Sequence, residues 1–267
     1  MSDAYTDHMT RGQSEVQRNI GYILHPSITL PDAPRIADMG TGTARFLLRI
    51  QPAYQNAVLE GYDIASDLFP PRDTLPENVT LGESDMKKPF PEHMHGKYDL
   101  VHARMLVSAM LPDDWEIAVR NLVKLLKPGG YLQWEECDFK NAEWLGSSPS
   151  SSIEKTTFIG DKFRAALDER FKHGWNTLPG LMREAGLTSI NTDVAVSDRV
   201  PETRERVNTG IMNLVFTWAR MMVTRGVSES TFGDSLDNLE RAVNEEIKSG
   251  CYFKYNIHVA LGQMAPL

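Results

Sequence analysis

The stretch PRIADMGTGTARFLLRI, residues 34–50, sets Asp38, Gly40 and Gly42 where a buried apolar run gives way to a helical pattern. A glycine-rich turn between strand and helix lets backbone N–H groups and the positive helix end approach a polar ligand. A dinucleotide fingerprint begun at Gly40 and Gly42 needs Gly or Ala at position 45, where helix and strand touch, and this chain has Arg45. What fits is an acid, two spaced glycines and a small residue: Asp38, Gly40, Gly42 and Ala44. The next apolar run ends in Asp63. A carboxylate at a strand tip can accept hydrogen bonds from both hydroxyls of a ribose, each charge-assisted bond contributing about 1.5–3 kcal/mol. Asp85 and Met86 follow the third run, in LGESDMKKPFP. The fourth, YDLVHARMLVSAM, carries His102, Ala103 and Arg104, and the fifth, in LLKPGGYLQWEE, ends in Glu136, a carboxylate placed to face a reacting group.

These residues do chemistry together only if a scaffold gathers the tips of the runs. Strand-like runs at 35–38, 57–62, 79–83, 98–103 and 131–135 alternate with helical patterns, the signature of a parallel sheet covered by helices. PDDWEIAVRNLVKLLKPGG has Pro112 before Asp113 and Asp114 in a first turn, and Lys127, Pro128 and Gly129 at its close. Beyond Glu136 the alternation breaks: the GSSPSSS loop at 146–152 is followed by a helix over 154–171, a helix in LPGLMREAGL and a strand near 190–196. Two more helices, RVNTGIMNLVFTWARMMV and SLDNLERAVNEEIKSG, precede the apolar CYFKYNIHVALGQMA. The N-terminal RGQSEVQRNIGYIL puts Val16, Ile20 and Ile23 on one helical face, so it serves either as a lid or as a cover for the sheet. The expected division is an N-terminal helical cap at 1–33, a ligand-binding core at 34–145, and the rest of the sheet with a helical insertion at 146–267.

Composition narrows the classes. The 267 residues, 41% hydrophobic, can bury one generous core. A formal net charge of -8 gives no basic footprint for nucleic acid. Cys137 and Cys251 form no metal-ligand spacing, so two reduced thiols and no metal are expected. The polar, charged start and the lack of any apolar run near 20 residues predict a soluble cytoplasmic protein without a membrane partner.

The ordered set Asp38-Gly40-Gly42-Ala44, Asp63, Asp85-Met86, YDLVHAR and LKPGG resembles the class I S-adenosylmethionine-dependent methyltransferases. Ala44 stands where a third glycine is frequent. The finer resemblance, through MGTGT, YDLVHAR, LKPGG and Gln17 upstream, is to the fungal family of small-molecule methyltransferases that includes a global regulator of secondary metabolism. It implies an α/β, Rossmann-like, doubly wound sheet of seven strands, with S-adenosyl-L-methionine as cofactor. It also implies that Asp38, Gly40, Gly42, Asp63, Asp85, Met86, Ala103 and Arg104 hold the cofactor. Asp85 would then bond the adenine amino group, and Met86 would cover its ring.

The activity expected is methylation of an oxygen or nitrogen of a small natural product, with Glu136 and His102 as candidate catalytic residues. Alignment of acceptor and methyl donor alone can supply about 7–11 kcal/mol of the barrier. A base is needed only for a poorly acidic hydroxyl. Trp144, Trp175, Phe216, Trp218, Met221 and Met222 could wall a pocket for an aromatic or apolar acceptor, although Val215, Trp218 and Met222 also fall at core-like helical spacing. Two other readings stay open: a regulatory or scaffold protein that keeps the fold, and a cyclase that uses the bound sulfonium only as charge. A homodimer is also left open.

Overall fold

The computed structural model describes residues 15–266. The N-terminal helix expected from residue 11 is therefore seen from 15 to 20 (α1), and its beginning lies outside the described residues. Seven strands form one sheet: β1 Arg35–Met39, β2 Val58–Asp63, β3 Val79–Glu83, β4 Tyr98–Arg104, β5 Leu126–Gly146, β6 Thr188–Val196 and β7 Cys251–Gln263. Their order is β3-β2-β1-β4-β5-β7-β6, the doubly wound arrangement, and the pairs β1/β2, β2/β3, β1/β4 and β4/β5 are parallel. The order reverses between β1 and β4, and in such sheets ligands bind beyond the carboxyl ends of the strands at that reversal.

The helices are α2 Arg45–Ile50, α3 Asp114–Leu125, α4 Glu154–Ala166, α5 Asp168–Phe171, α6 Leu178–Glu184, α7 Arg204–Thr224 and α8 Leu236–Lys248. The helix expected over 154–171 is interrupted at Leu167, which separates α4 from α5. The fifth strand, expected at 131–135, runs from Leu126 to Gly146. Its first residues are the LKPGG expected to close the preceding helix. Gly130 lies so close to the carbonyl oxygens of Tyr98 and Lys127 that a Cβ would stand 2.8 and 3.0 Å from them, so the strand can form there only with glycine.

The chain divides into two compact units. Among the described residues, one comprises 22–137, 172–194 and 257–266; the other comprises 15–21, 138–171 and 195–256. Both are discontinuous in sequence, whereas the sequence reading cut the chain at 33/34 and 145/146. The boundaries after residues 137, 194 and 256 fall inside β5, β6 and β7.

The first unit is built on Ile36, Phe46, Leu47, Ile50, Leu59, Val79 and Leu100, with Ile23, Leu24, Ile28 and Leu30 packed against them. Burial of such side chains contributes about 1.5–3 kcal/mol each. The segment that carries Ile23 is fastened by Gln133 of β5, which donates to the Ile23 carbonyl at 2.9 Å and accepts from the His25 N–H at 2.8 Å. In the second unit an aromatic cluster joins Phe139, Phe171, Phe253 and Tyr255. Glu246 of α8 crosses to the start of α4, accepting from the backbone N–H of Lys155 and Thr156 and from the Ser152 and Thr156 hydroxyls. Burial alone would raise its pKa; those hydrogen bonds outweigh burial and leave it lowered.

Candidate active site

The glycine turn is stitched to the end of β2. Gly40 and Thr41 both donate backbone N–H bonds to the Tyr62 carbonyl, and Gly42 donates to the Asp63 carboxylate at 2.8 Å. Gly40 and Gly42 have φ of +72° and +51°. At Gly40 an added Cβ would also lie 2.6 Å from Leu106 Cδ2, so neither the backbone nor the space admits a side chain. Ala44, the residue at the third glycine's place, also sits in the left-handed region at φ 57°, ψ 21°.

Beyond this turn lies an open cleft of about 530 Å³, wholly within the first unit, lined by Gly40, Asp63, Ile64, Ser84, Asp85, Met86, Lys87, Leu106, Ala109 and Met110. The tips of β1, β2 and β3 thus bring together Gly40, Asp63, Asp85 and Met86 from the sequence reading. Asp63 accepts from the Gly42 and Ile64 N–H groups through different oxygens, and Asp85 accepts from the Lys87 N–H. A carboxylate has about four lone-pair sites, so both acids keep accepting capacity for a ligand. Ile64, Leu106 and Met110 went unnoticed in the sequence, although Leu106 and Met110 stand in the RMLVSAM that follows β4.

The other six expected site residues do not line the cleft; Gly42 meets it only through its bond to Asp63. Asp38 is 4% exposed, and its carboxylate accepts from Thr41 Oγ1 and bonds His102 Nδ1, each at 2.7 Å. It shapes the turn and does not line the cleft. Ala103 is fully buried and Arg104 is nearly so, its guanidinium 4.0 Å from Glu135. His102 is 0% exposed, stacked on Phe46 at 3.6 Å, with Nε2 3.6 Å from Glu135 Oε1. A ring enclosed between two carboxylates cannot reach an acceptor, so the expectation of a catalytic His102 is corrected. Burial alone would lower its pKa, but the bonds to Asp38 and Glu135 outweigh burial and raise it. Glu135 is pushed up by burial and pulled down further by His102, Arg104 and Gln133, ending lowered.

Glu136 is corrected on the same ground. It is 0% exposed; Oε1 accepts from Leu106 N–H at 2.7 Å and Trp134 Nε1–H at 2.9 Å, and Oε2 from Val107 N–H at 3.2 Å. Its lone pairs serve the loop after β4 and leave none facing an acceptor.

The apolar wall expected for the acceptor is dispersed. Phe216 is core at 1% exposure, Trp218 packs edge-on to Phe163 and Phe232, and Trp144 stacks on Phe253. Trp175, in the first unit, packs on His258. Helical spacing here marked core more than pocket. Among the described residues no group of three or more His, Cys, Asp or Glu could hold a metal ion, and no helix is long and apolar enough to cross a membrane.

Residues 37–132 match a methyltransferase domain family. The 3-2-1-4-5-7-6 sheet that this region begins, with the acid-lined cleft at its reversal, has the fold of the class I S-adenosylmethionine-dependent methyltransferases. The chain is 38% identical over 141 residues to methyltransferase grgD of Penicillium sp, an alignment covering 50% of this chain and 48% of that protein. It thus spans about half the length of that relative. It is also 28% identical over 221 residues to N-methyltransferase tcpN of Claviceps purpurea, covering 80% and 77% of the two chains. Among solved structures, Haemonchus contortus phosphoethanolamine N-methyltransferase 2 in complex with S-adenosyl-L-methionine is similar in fold, with a TM-score of 0.52 at 10% identity over 93% of this chain and 52% of that one.

Proposed function

We propose that the chain methylates a nitrogen or oxygen of a small natural product, with nitrogen favoured. The observation that carries this reading is the cleft in which Asp63, Asp85 and an apolar slot converge, while the two groups best suited to remove a proton, Glu136 and His102, are enclosed and occupied. The donor set suits an adenosyl group: Asp63 accepts from ribose hydroxyls, Asp85 from an exocyclic amine, and Met86, Ile64 and Leu106 cover a flat base. Gly40, on the same cleft, would stand at the methyl-bearing end. Bound S-adenosylmethionine supplies an electrophilic methyl on a cationic sulfonium.

The chain's part is alignment. A lone pair of the acceptor forms the new bond to carbon as the carbon–sulfur bond breaks, sulfur keeps that electron pair, and the acceptor's proton leaves to solvent. A neutral amine needs no base for this, in keeping with the similarity to the N-methyltransferase tcpN.

The test is label transfer from methyl-labelled S-adenosylmethionine to a panel of natural-product amines, phenols and aliphatic alcohols. Transfer to amines is expected first. Transfer to aliphatic alcohols alone would overturn the preference for nitrogen. Binding without transfer to any acceptor would favour the regulatory or cyclase reading.

A further inference from the structure

The loop after β4 supplies one wall of the cleft through Leu106, Ala109 and Met110. Its own backbone bonds, from the Ala109 and Met110 N–H groups to the Leu106 carbonyl, close the turn but leave its start to be held from outside. That start is Met105, a non-glycine residue at φ +55°, a conformation costing an L-residue about 1–2 kcal/mol. Met105 donates its N–H to the Glu135 carbonyl at 2.9 Å, and the next two N–H groups both point to the Glu136 carboxylate. Leu106, the first of those two, is also the residue that packs against Gly40 of the glycine turn. One side chain therefore holds the loop at the point where it meets the cofactor turn.

We propose that Glu136 is a positioning residue for the cofactor cleft: its ionised carboxylate pins the wall formed by residues 106–110, and protonation of that carboxylate lets the wall go. This rests on the reading of the cleft as the cofactor site.

A carboxylate accepts from all three N–H donors at once, whereas a carboxylic acid turns one oxygen into a donor and opposes one of them. Burial, the largest influence, raises the Glu136 pKa to about 7; the bonds from Leu106, Trp134, Val107 and Cys137 oppose it without restoring the ordinary value. The surrounding ionisable groups are engaged elsewhere. Glu135, its neighbour in β5, is turned to the opposite sheet face with His102 and Arg104. Lys87 pairs with Asp114 at the start of α3, and Asp63 and Asp85 hold the N–H groups of the other strand tips. The charge on Glu136 is thus met by N–H dipoles, and two of them, those of Leu106 and Val107, belong to the wall.

The experiment measures S-adenosylhomocysteine affinity by calorimetry from pH 5.5 to 8.5 for the wild type, Glu136→Gln and Glu136→Asp. The wild type is expected to lose affinity about tenfold from pH 8 to pH 6, following the ionised fraction of a group that titrates near 7. Glu136→Gln should bind weakly, with no such slope, and should raise the KM for the methyl donor while kcat at saturation stays within about tenfold. Trp134 fluorescence should titrate with the same midpoint in the wild type and not in Glu136→Gln. Affinity independent of pH in the wild type, or an unaltered slope in Glu136→Gln, would overturn the proposal. So would a kcat loss beyond a hundredfold at saturating donor, which would mark a proton-transfer role. If Glu136→Gln does not fold, the wild-type slope and the Glu136→Asp midpoint still decide. No binding by the wild type at any pH would instead overturn the cofactor reading of the cleft.

Discussion

Replacing His102 with alanine should cost the first unit several kcal/mol, about 3–5. The ring is fully enclosed, lies flat on Phe46 with an interplanar angle of 3°, and separates the Asp38 and Glu135 carboxylates. Removing one partner of a buried charged set costs about 3–5 kcal/mol, because the remaining charges lose compensation without regaining water. Two carboxylates are left here, so the upper part of that range is expected, and the stack on Phe46 is lost as well. The pH dependence separates the charge from the packing. A raised His102 pKa means that its contribution is fully present below the ordinary value of 6.5 and disappears as pH rises through the folded-state value. A lowered Glu135 pKa means that its contribution is present above the ordinary 4.5 and fades as pH falls below it. The stability difference between wild type and His102→Ala should therefore be greatest between about pH 5 and 6.5, and should narrow as pH rises from there through the folded-state pKa of His102. Urea unfolding of both proteins across pH 5 to 9 measures it, and His102→Phe, which keeps the stack and lacks the charge, should follow the alanine variant's pH trend. A difference that stays flat across this range, or grows with pH, would refute the idea of a charged imidazole between two carboxylates.

Three further outcomes are expected. Asp63→Asn should weaken S-adenosylhomocysteine binding by about 1.5–3 kcal/mol in calorimetry, because the residue loses charge at both the ligand and the Gly42 N–H; an unchanged dissociation constant would place the ribose elsewhere. Ala44→Gly should raise the melting temperature, since relief of about 1–2 kcal/mol of left-handed strain exceeds the roughly 0.5–1 kcal/mol of extra chain entropy that glycine must lose. A lower melting temperature would show that the Ala44 methyl is needed for packing. Glu246→Ala should cost about 1–2 kcal/mol by stripping the start of α4 of its acceptor, and the wild type's advantage should shrink as pH falls below the ordinary 4.5, seen in acid unfolding of the two proteins.

The strand tips were legible because a chemical pattern and a structural one coincide there: Gly40, Asp63, Asp85 and Met86 each end an apolar run, and parallel strands bring such ends together. The partners of His102 were not legible. Asp38 lies 64 positions away, and only the register Asp38 to His102 to Gln133 brings the three into line. Glu135 and Glu136 read as one acidic pair, but the two-residue period of a strand sends one under the sheet with His102 and the other toward the loop after β4. Ala44 read as a question of room when the structure makes it one of backbone angle. The extension of β5 to Gly146 was hidden by Lys140, Asn141 and Glu143, exposed residues whose polarity resembles a loop.

The crossings of the chain between its two units bear on how such a protein tolerates change in length. Three of the crossings, after residues 137, 194 and 256, fall inside strands. Inserting or deleting one residue within a strand turns every later side chain to the other face. A single lost codon near residue 137 would exchange the faces of Phe139 and Lys140, and one on the other side of that point would exchange those of Glu135 and Glu136. Lineages can lengthen or shorten the largely exposed turn at residues 225–231, between α7 and α8, at less cost. A change of length is not tolerated at these crossings, so gaps in this lineage should collect in loops while the crossings inside strands stay ungapped.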